Sequence, residues 1–377
     1  MGNSNSVPEK AKEIVKKPIK EVHNEDSIYF SKFCYTKDYF EVSPTDIFLK
    51  YIDVKCSTMR SKLDSATLDN INEILSATPN LKGLKLPLRN QEIENIQKIN
   101  ATLFHIKTLM VLELNLQFSK LKDSDLEGFF KSLQEMVNLV DLDLNMSFTN
   151  FGPKSMSSLC FSLSKFQNLN ELGLELEAIL LKSEEFFPLL NQIGDLKNLC
   201  ALSLRINESD IGDEGMVILS NSLKKLEFLS GLELRVNKNI TNQGLDYFFD
   251  SIISKPDQII YLKIQMNLNQ INKIDKLPEV IRSQKFLTDI QCEFFFGVDR
   301  EKDVVRDKIS EAVENSLYLF NCVFLNLDYL STNNIRTKER IVPVLQIITS
   351  NLRRRKYRKE IIEEIVELLI PNHNKNN

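Results

Sequence analysis

The sequence predicts an α/β repeat fold: strand–helix units stacked in a row, with one continuous parallel sheet on one side and a layer of helices on the other. Three observations predict it. First, strand-like stretches begin at Leu81, Leu109, Leu139, Leu169, Leu199, Leu229, Ile259 and Leu287, at steps of 28, 30, 30, 30, 30, 30 and 28 residues. Second, each reads apolar-x-x-apolar-x-apolar-x-apolar, as in "LCALSLRI" from Leu199 and "LSGLELRV" from Leu229. The last three apolar positions have the period of two that a strand requires. Third, the spacing turns helical between the stretches. Phe129, Leu159, Leu189, Leu219 and Phe249 make one column, and Leu133, Leu163, Ile193, Leu223 and Ile253 a second. Met136, Phe166, Leu196 and Leu226 make a third, so the three columns together form one helix face. A single strand–helix unit cannot bury its apolar side alone, whereas stacked units can.

In chain order, residues 1–24 are polar, lysine-rich and aperiodic, which predicts a mobile tail. Residues 25–297 hold the array of about nine units, the first of them a degenerate copy, "LKYIDVKC" from Leu49, with an N-terminal cap around it. After Phe296 the repeat decays. "REKDVVRDKISEAVENSLYLF" reads as a helix and "CVFLNLDYL" (Cys322 to Leu330) as a last strand. The stretch from Lys338 to Ile370 reads as two helices, or one kinked by Pro343. Residues 298–370 are therefore expected to form a degenerate last repeat and a helical C-terminal cap, and residues 371–377 a disordered tail.

The pattern L-x-x-L-x-L-x-x-N followed by a helix resembles the ribonuclease-inhibitor-like class of leucine-rich repeats, from about Leu49 to Phe296. The resemblance implies a right-handed horseshoe with a concave parallel sheet and outer helices. The family's turn asparagine matches Asn207, Asn237 and Asn267, whose side chains should hydrogen-bond backbone groups where the strand turns away. Gln117, Ser147 and Glu177 stand at that place in earlier units, which predicts looser turns there. "IGDEG" from Ile211 and "ITNQG" from Ile240 resemble the family's loop before the helix, with Asp213 and Thr241 as expected helix caps.

Composition narrows the function classes. A formal net charge of -4 on 377 residues makes no case for a nucleic-acid binder. No apolar run approaches the roughly 18 residues a membrane span needs, and the start of the chain has no apolar signal-peptide region. Six scattered cysteines without C-x-x-C read as reduced thiols of a cytoplasmic protein. The chain has only three histidines (His23, His105, His373), far apart, and no phosphate loop or kinase motif. The expectation is a non-enzymatic protein that takes no cofactor.

The residues between the inward apolar positions should line the concave sheet. One column is Gly83, Val111, Asp141, Glu171, Ala201, Gly231, Tyr261 and Asp289. The next is Lys85, Glu113, Asp143, Gly173, Ser203, Glu233, Lys263 and Gln291. The third is Pro87, Asn115, Asn145, Glu175, Arg205, Arg235, Gln265 and Glu293. Strands sit about 4.8 Å apart, so Glu113, Asp141, Asp143, Glu171 and Glu175 cluster on three neighbouring strands and repel one another. Arg205, Arg235 and Lys263 follow, with Tyr261 beside them. This face is the expected partner-binding surface, its acidic part meeting Lys or Arg of a partner. A solvated sheet whose charges serve solubility is the plain alternative, and a divalent-metal site in the acidic cluster a third. Pairs of Glu175 with Arg205 and of Glu233 with Lys263 are expected to contribute little to stability.

Two further signals lie outside the array. Arg353, Arg354, Arg355, Lys356, Arg358 and Lys359 form a basic run, followed by Glu360, Glu363, Glu364 and Glu367 on the same expected helix. It reads as a solvated capping helix or as a contact for an acidic protein, a calmodulin-like protein or anionic lipid. "MGNSNS" matches the N-myristoylation pattern with Gly2 as acceptor, and Lys10, Lys12, Lys16, Lys17 and Lys20 follow as a weak second membrane signal. The combined reading is an interaction scaffold or adaptor, tethered by acylated Gly2 to a cytosolic membrane face. The resemblance also implies two alternatives: a regulator of an enzyme, such as a small-GTPase activator or an inhibitor, or the substrate-recognition subunit of a ubiquitin ligase.

Overall fold

Alternation of apolar and polar residues becomes strand, and the helical columns become helices. The computed structural model describes residues 51–53, 62–63, 81–89, 92–93, 96–103, 106–179, 181–237, 239–268, 274–296, 302–316, 319, 321–325 and 331–332. In chain order the elements are β1 (Tyr51–Asp53), β2 (Lys62–Leu63), β3 (Gly83–Pro87), β4 (Glu92–Ile93), α1 (Ile96–Leu103), β5 (Val111–Asn115) and α2 (Asp123–Leu133). There follow β6 (Asp141–Asn145), α3 (Pro153–Leu163), β7 (Glu171–Glu175), α4 (Ser183–Ile193), β8 (Ala201–Arg205), α5 (Gly212–Lys224), β9 (Gly231–Asn237) and α6 (Asn242–Ile253). The last are β10 (Tyr261–Leu268), α7 (Leu277–Ser283), β11 (Asp289–Phe296), α8 (Lys302–Asn315), β12 (Asn321–Leu325) and β13 (Ser331–Thr332).

Among the described residues the main sheet has eleven strands in the order β1-β3-β5-β6-β7-β8-β9-β10-β11-β12-β13. Each strand thus lies beside the main-sheet strand that precedes it in sequence, which makes this a repeat architecture. All pairs are parallel except β12 with β13. Parallel neighbours require a crossover, and α2 to α6 supply it in the most regular units. Register follows the 30-residue step: Leu112, Leu142, Leu172, Leu202 and Leu232 stand side by side. Each faces the helix layer and is almost completely buried.

The helix columns close the core from the other side. Phe129, Leu159, Leu189, Leu219 and Phe249 are all fully buried. One continuous cluster of buried side chains runs from Leu81 to Leu319. Burying such a leucine contributes about 1.5–3 kcal/mol, so the array is held along its whole length rather than at one centre. Cys160 in α3 carries a free thiol, and burial pushes it up to about 11, where it stays protonated. Among the described residues no helix is long and apolar enough to cross a membrane.

Carboxylates tie each unit to the next. Asp213 sits in the first turn of α5, yet its carboxylate accepts hydrogen bonds from Thr241 N (2.8 Å) and Gly244 N (3.2 Å) at the start of α6. The expected cap therefore acts on the following helix and not on its own. Thr241 caps α6 as the sequence predicts, its side chain accepting from Gln243 N. Asp123 repeats the arrangement between α2 and α3, accepting from Gly152 N and Ser155 N at 2.9 Å each. Burial pulls the Asp123 carboxyl up, but the bonds from Ser155, Lys154 and Gly152 outweigh it and hold the group below the usual carboxylate range.

The early turns are as tight as the later ones, against expectation. Phe118, Phe148, Ala178 and Glu208 recur at 30-residue steps, all with φ between 50° and 63°. Phe118 N donates to Ser147 O (3.1 Å), Phe148 N to Glu177 O (2.9 Å) and Ala178 N to Asn207 O (3.2 Å). Other side chains replace the expected asparagine. Asn115 and Asn145 accept from the amides two residues on, Gln117 N and Ser147 N, at 3.0 Å, while Ser147 Oγ accepts from Glu177 N at 3.1 Å. Asn207 itself donates to the Glu177 carboxylate at 3.0 Å. The side chains of Asn237 and Asn267 lie outside the described residues, as do Gly2, the tail lysines, the run Arg353–Lys359 and the segments expected to complete the C-terminal cap.

Candidate functional site

The face of the sheet away from the helices brings the three predicted columns together. Strand register aligns Val111, Asp141, Glu171, Ala201, Gly231, Tyr261 and Asp289 in the first column. The same pairings align Lys85, Glu113, Asp143, Gly173, Ser203, Glu233 and Lys263 in the second. Asn115, Asn145, Glu175, Arg205 and Arg235 align in the third. The face has two electrostatically distinct halves.

The first half, on β5 to β7, is acidic. Lys85 pairs with Glu113 at 2.6 Å. Among the described residues neither Asp141 nor Asp143 forms an ion pair. Gly173 makes room for Asp143: a Cβ there would stand 2.9 Å from its carboxylate. Asp143 is exposed at the surface of the sheet, yet its carboxylate is crowded by the neighbouring strands, lying close against Gly173 on β7. That loss of hydration, then repulsion from Glu113 and Glu175, raises it to about 7 against the pull of Arg205 and Lys85. Asp141 is raised well above the ordinary range by burial, and then by Glu171, Asp143 and Glu113. Each repulsion is one that an incoming cation would remove.

The second half, on β8 to β10, is a closed network. Glu233 is 2% exposed, and its Oε1 accepts from Arg205 Nε (3.0 Å) and Arg235 Nε (2.9 Å), with Lys263 Nζ at 3.5 Å. Arg205 also reaches Glu175 Oε1 at 2.6 Å, and Asn145 donates to the other oxygen of Glu175. Burial works against the Arg205 charge, but Glu233 and Glu175 hold it on and raise its pKa. Burial lowers that of Lys263, with Arg235 and Arg205 adding repulsion. The expected pairs of Glu175 with Arg205 and of Glu233 with Lys263 both form, but Glu233 is buried and not at the surface. These charges are buried together on one carboxylate, so the cations of this half are engaged internally. Tyr261 takes its predicted place but is 4% exposed; burial, Glu233 and Asp289 push its hydroxyl pKa up, and it packs within the face.

Two features escape the periodic reading. Glu233 is the hub of the network, although one apparent ion pair with Lys263 was all its column position suggested. Phe118 and Phe148 fall outside every core column and are 41% and 44% exposed. Their rings stack at 4.5 Å, and Arg89 lies over Phe118 at 5.6 Å from the ring centre. The sequence signal was an apolar residue just beyond the turn position in two consecutive units.

Among the described residues no group of three or more His, Cys, Asp or Glu side chains converges closely enough to hold a metal ion. The carboxylates are spread over neighbouring strands and do not meet at a point. Compared with known proteins, the chain matches no family model and no curated sequence. What the structure establishes is the class: an α/β repeat protein with an open parallel sheet, one face of which bears an acidic patch beside a closed ionic network.

Proposed function

We propose that the chain is a leucine-rich repeat protein of the ribonuclease-inhibitor-like kind and acts as a non-enzymatic interaction scaffold, docking a cationic partner on the acidic half of its concave face. The class reading is supported by the L-x-x-L-x-L pattern, the 30-residue step and the in-order parallel strands. One observation carries the docking reading: Asp141 and Asp143 stand two positions apart on the same face of β6 without an ion-pair partner among the described residues, while the neighbouring arginines are committed to Glu233 and Glu175. A sheet designed only for solubility has no need of carboxylates whose ionisation is opposed by their own surroundings. A preformed face also binds at little ordering cost. The tether by acylated Gly2 belongs to the same proposal and rests on the N-terminal motif.

Affinity capture from native cells tests the reading. The wild-type chain is compared with a variant carrying Glu113→Lys, Asp141→Lys, Asp143→Lys and Glu171→Lys. Loss of specific partners from the variant is the expected result, and an unchanged set of partners would contradict it.

A further inference from the structure

Phe118 and Phe148 occupy a backbone conformation that suits glycine or asparagine, with φ of 61° and 58°. The turn imposes that conformation in every regular unit, because Ala178 and Glu208 share it one and two steps on. A bulky ring there is therefore a departure in side chain, made at a strained position and left partly in solvent. Such outliers point from structure to use.

The rings form a ladder with a direction. Their 4.5 Å spacing matches the distance between neighbouring strands, so the stack runs from unit to unit. Its first rung is the guanidinium of Arg89 over Phe118, and its last is Phe148. One spacing further, the next rung carries only the methyl of Ala178. Phe148 has a single ring contact among the described residues, with Phe118, and Ala178 holds the equivalent turn position one step on. Carboxylates border that rung. Glu177 immediately precedes Ala178, and exposed Glu208 stands on the rung after it. Burial and repulsion from Glu175 already oppose ionisation of Glu177, despite Arg235, Arg205 and Asn207.

We propose that the Phe118–Phe148 ladder selects arginine in the partner: a guanidinium stacks on the outer face of Phe148 above Ala178, mirroring Arg89 at the other end, and meets Glu177 and Glu208 at its edge. This rests on the reading that the concave face docks a cationic segment and names the residue that segment presents. A guanidinium is planar, stacks on an aromatic face and still presents donors in its plane to carboxylates, none of which an ammonium does as well. Phe148 lies five positions after Asp143 in the chain. The two points are therefore at most about 18 Å apart, a span that roughly five residues of extended peptide cover. One segment can set an arginine on the ladder and a second cation on the acidic patch.

The test uses two fluorescent synthetic peptides, identical except that one carries arginines where the other carries lysines, titrated onto the full chain by anisotropy. The arginine peptide should bind about fivefold more tightly. Phe148→Asn, which tolerates the turn's positive φ, and Phe148→Leu, which keeps an apolar side chain without a π face, should both abolish that preference. Both should weaken the arginine peptide more than the lysine peptide, so that the two bind equally, with unfolding curves confirming that the variants fold. Equal binding of the two peptides to the wild type, with both lost in Asp141→Asn/Asp143→Asn, would overturn the arginine proposal and leave the docking face standing. A preference that persists in Phe148→Leu would overturn the stacking. Binding of neither peptide would overturn the docking face and this inference with it.

Discussion

At the scale of single residues, Asp143 shows how placement sets chemistry. It occupies the middle column of a parallel sheet, where its register neighbours are Glu113 and a glycine that lets the carboxylate lean toward the next strand. An unfolded aspartate titrates near ~3.9, and the folded one near about 7. Between those values the folded chain holds the additional proton. The contribution of Asp143 to stability is therefore fully present at low pH and is lost as pH rises from about 4 to about 7. Asp143→Asn should flatten that decline and leave the variant more stable than wild type at pH 8, as read from urea unfolding midpoints at pH 5 and pH 8. A wild type and variant with the same pH profile would contradict the assigned environment. Glu113, Asp141, Asp143, Glu171 and Glu175 were all legible in the sequence, because a period of two fixes which face a strand residue takes. Their protonation was not, since it depends on how closely neighbouring strands bring protein atoms and other carboxylates to them.

At the scale of elements, the ionic network joins β7, β8, β9 and β10 through one buried carboxylate. Arg205, Arg235 and Lys263 were expected to make the second half of the face basic, but Glu233 and Glu175 hold them. Sequence periodicity gives the column of Glu233 but not its depth, and depth decides whether an ion pair is weak or costly to break. Glu233→Gln would leave three cations in contact without their common counter-charge and should destabilise the chain by about 3–5 kcal/mol. Thermal unfolding reads the loss. A change below about 1 kcal/mol would place the network among surface pairs. The turns teach the same distinction. Where the asparagine pattern fails, Asn115, Asn145 and Ser147 supply the missing hydrogen bonds from two positions earlier or from the neighbouring unit. Hydrogen-bond demand is a property of the turn, and more than one residue can meet it. Asp123 and Asp213, similarly, serve helices in the next unit, a relation across about 30 residues that local capping rules do not reach.

At the scale of the whole molecule, repetition is structural and function lies in what fails to repeat. The leucine and phenylalanine columns recur from unit to unit because each unit needs the next to cover its core, and this made strand order, register and helix faces legible before any coordinates. The acidic patch, the Glu233 network and the Phe118–Phe148 ladder each break the repeat, and each sits on the side or rim that the core does not constrain. The basic run Arg353–Lys359 and the Gly2 motif remain sequence-level expectations, since they lie outside the described residues. The central claim is that Asp141 and Asp143 form a preformed receptor for a cation. Titration calorimetry of a short lysine- and arginine-containing peptide onto the full chain, at pH 7 in two buffers of different ionisation enthalpy, tests it most directly. A cation placed beside these carboxylates drives their ionisation, so binding should release protons to the buffer, and Asp141→Asn/Asp143→Asn should remove both the release and most of the affinity. Binding without proton release that is also unchanged in that variant would contradict the claim.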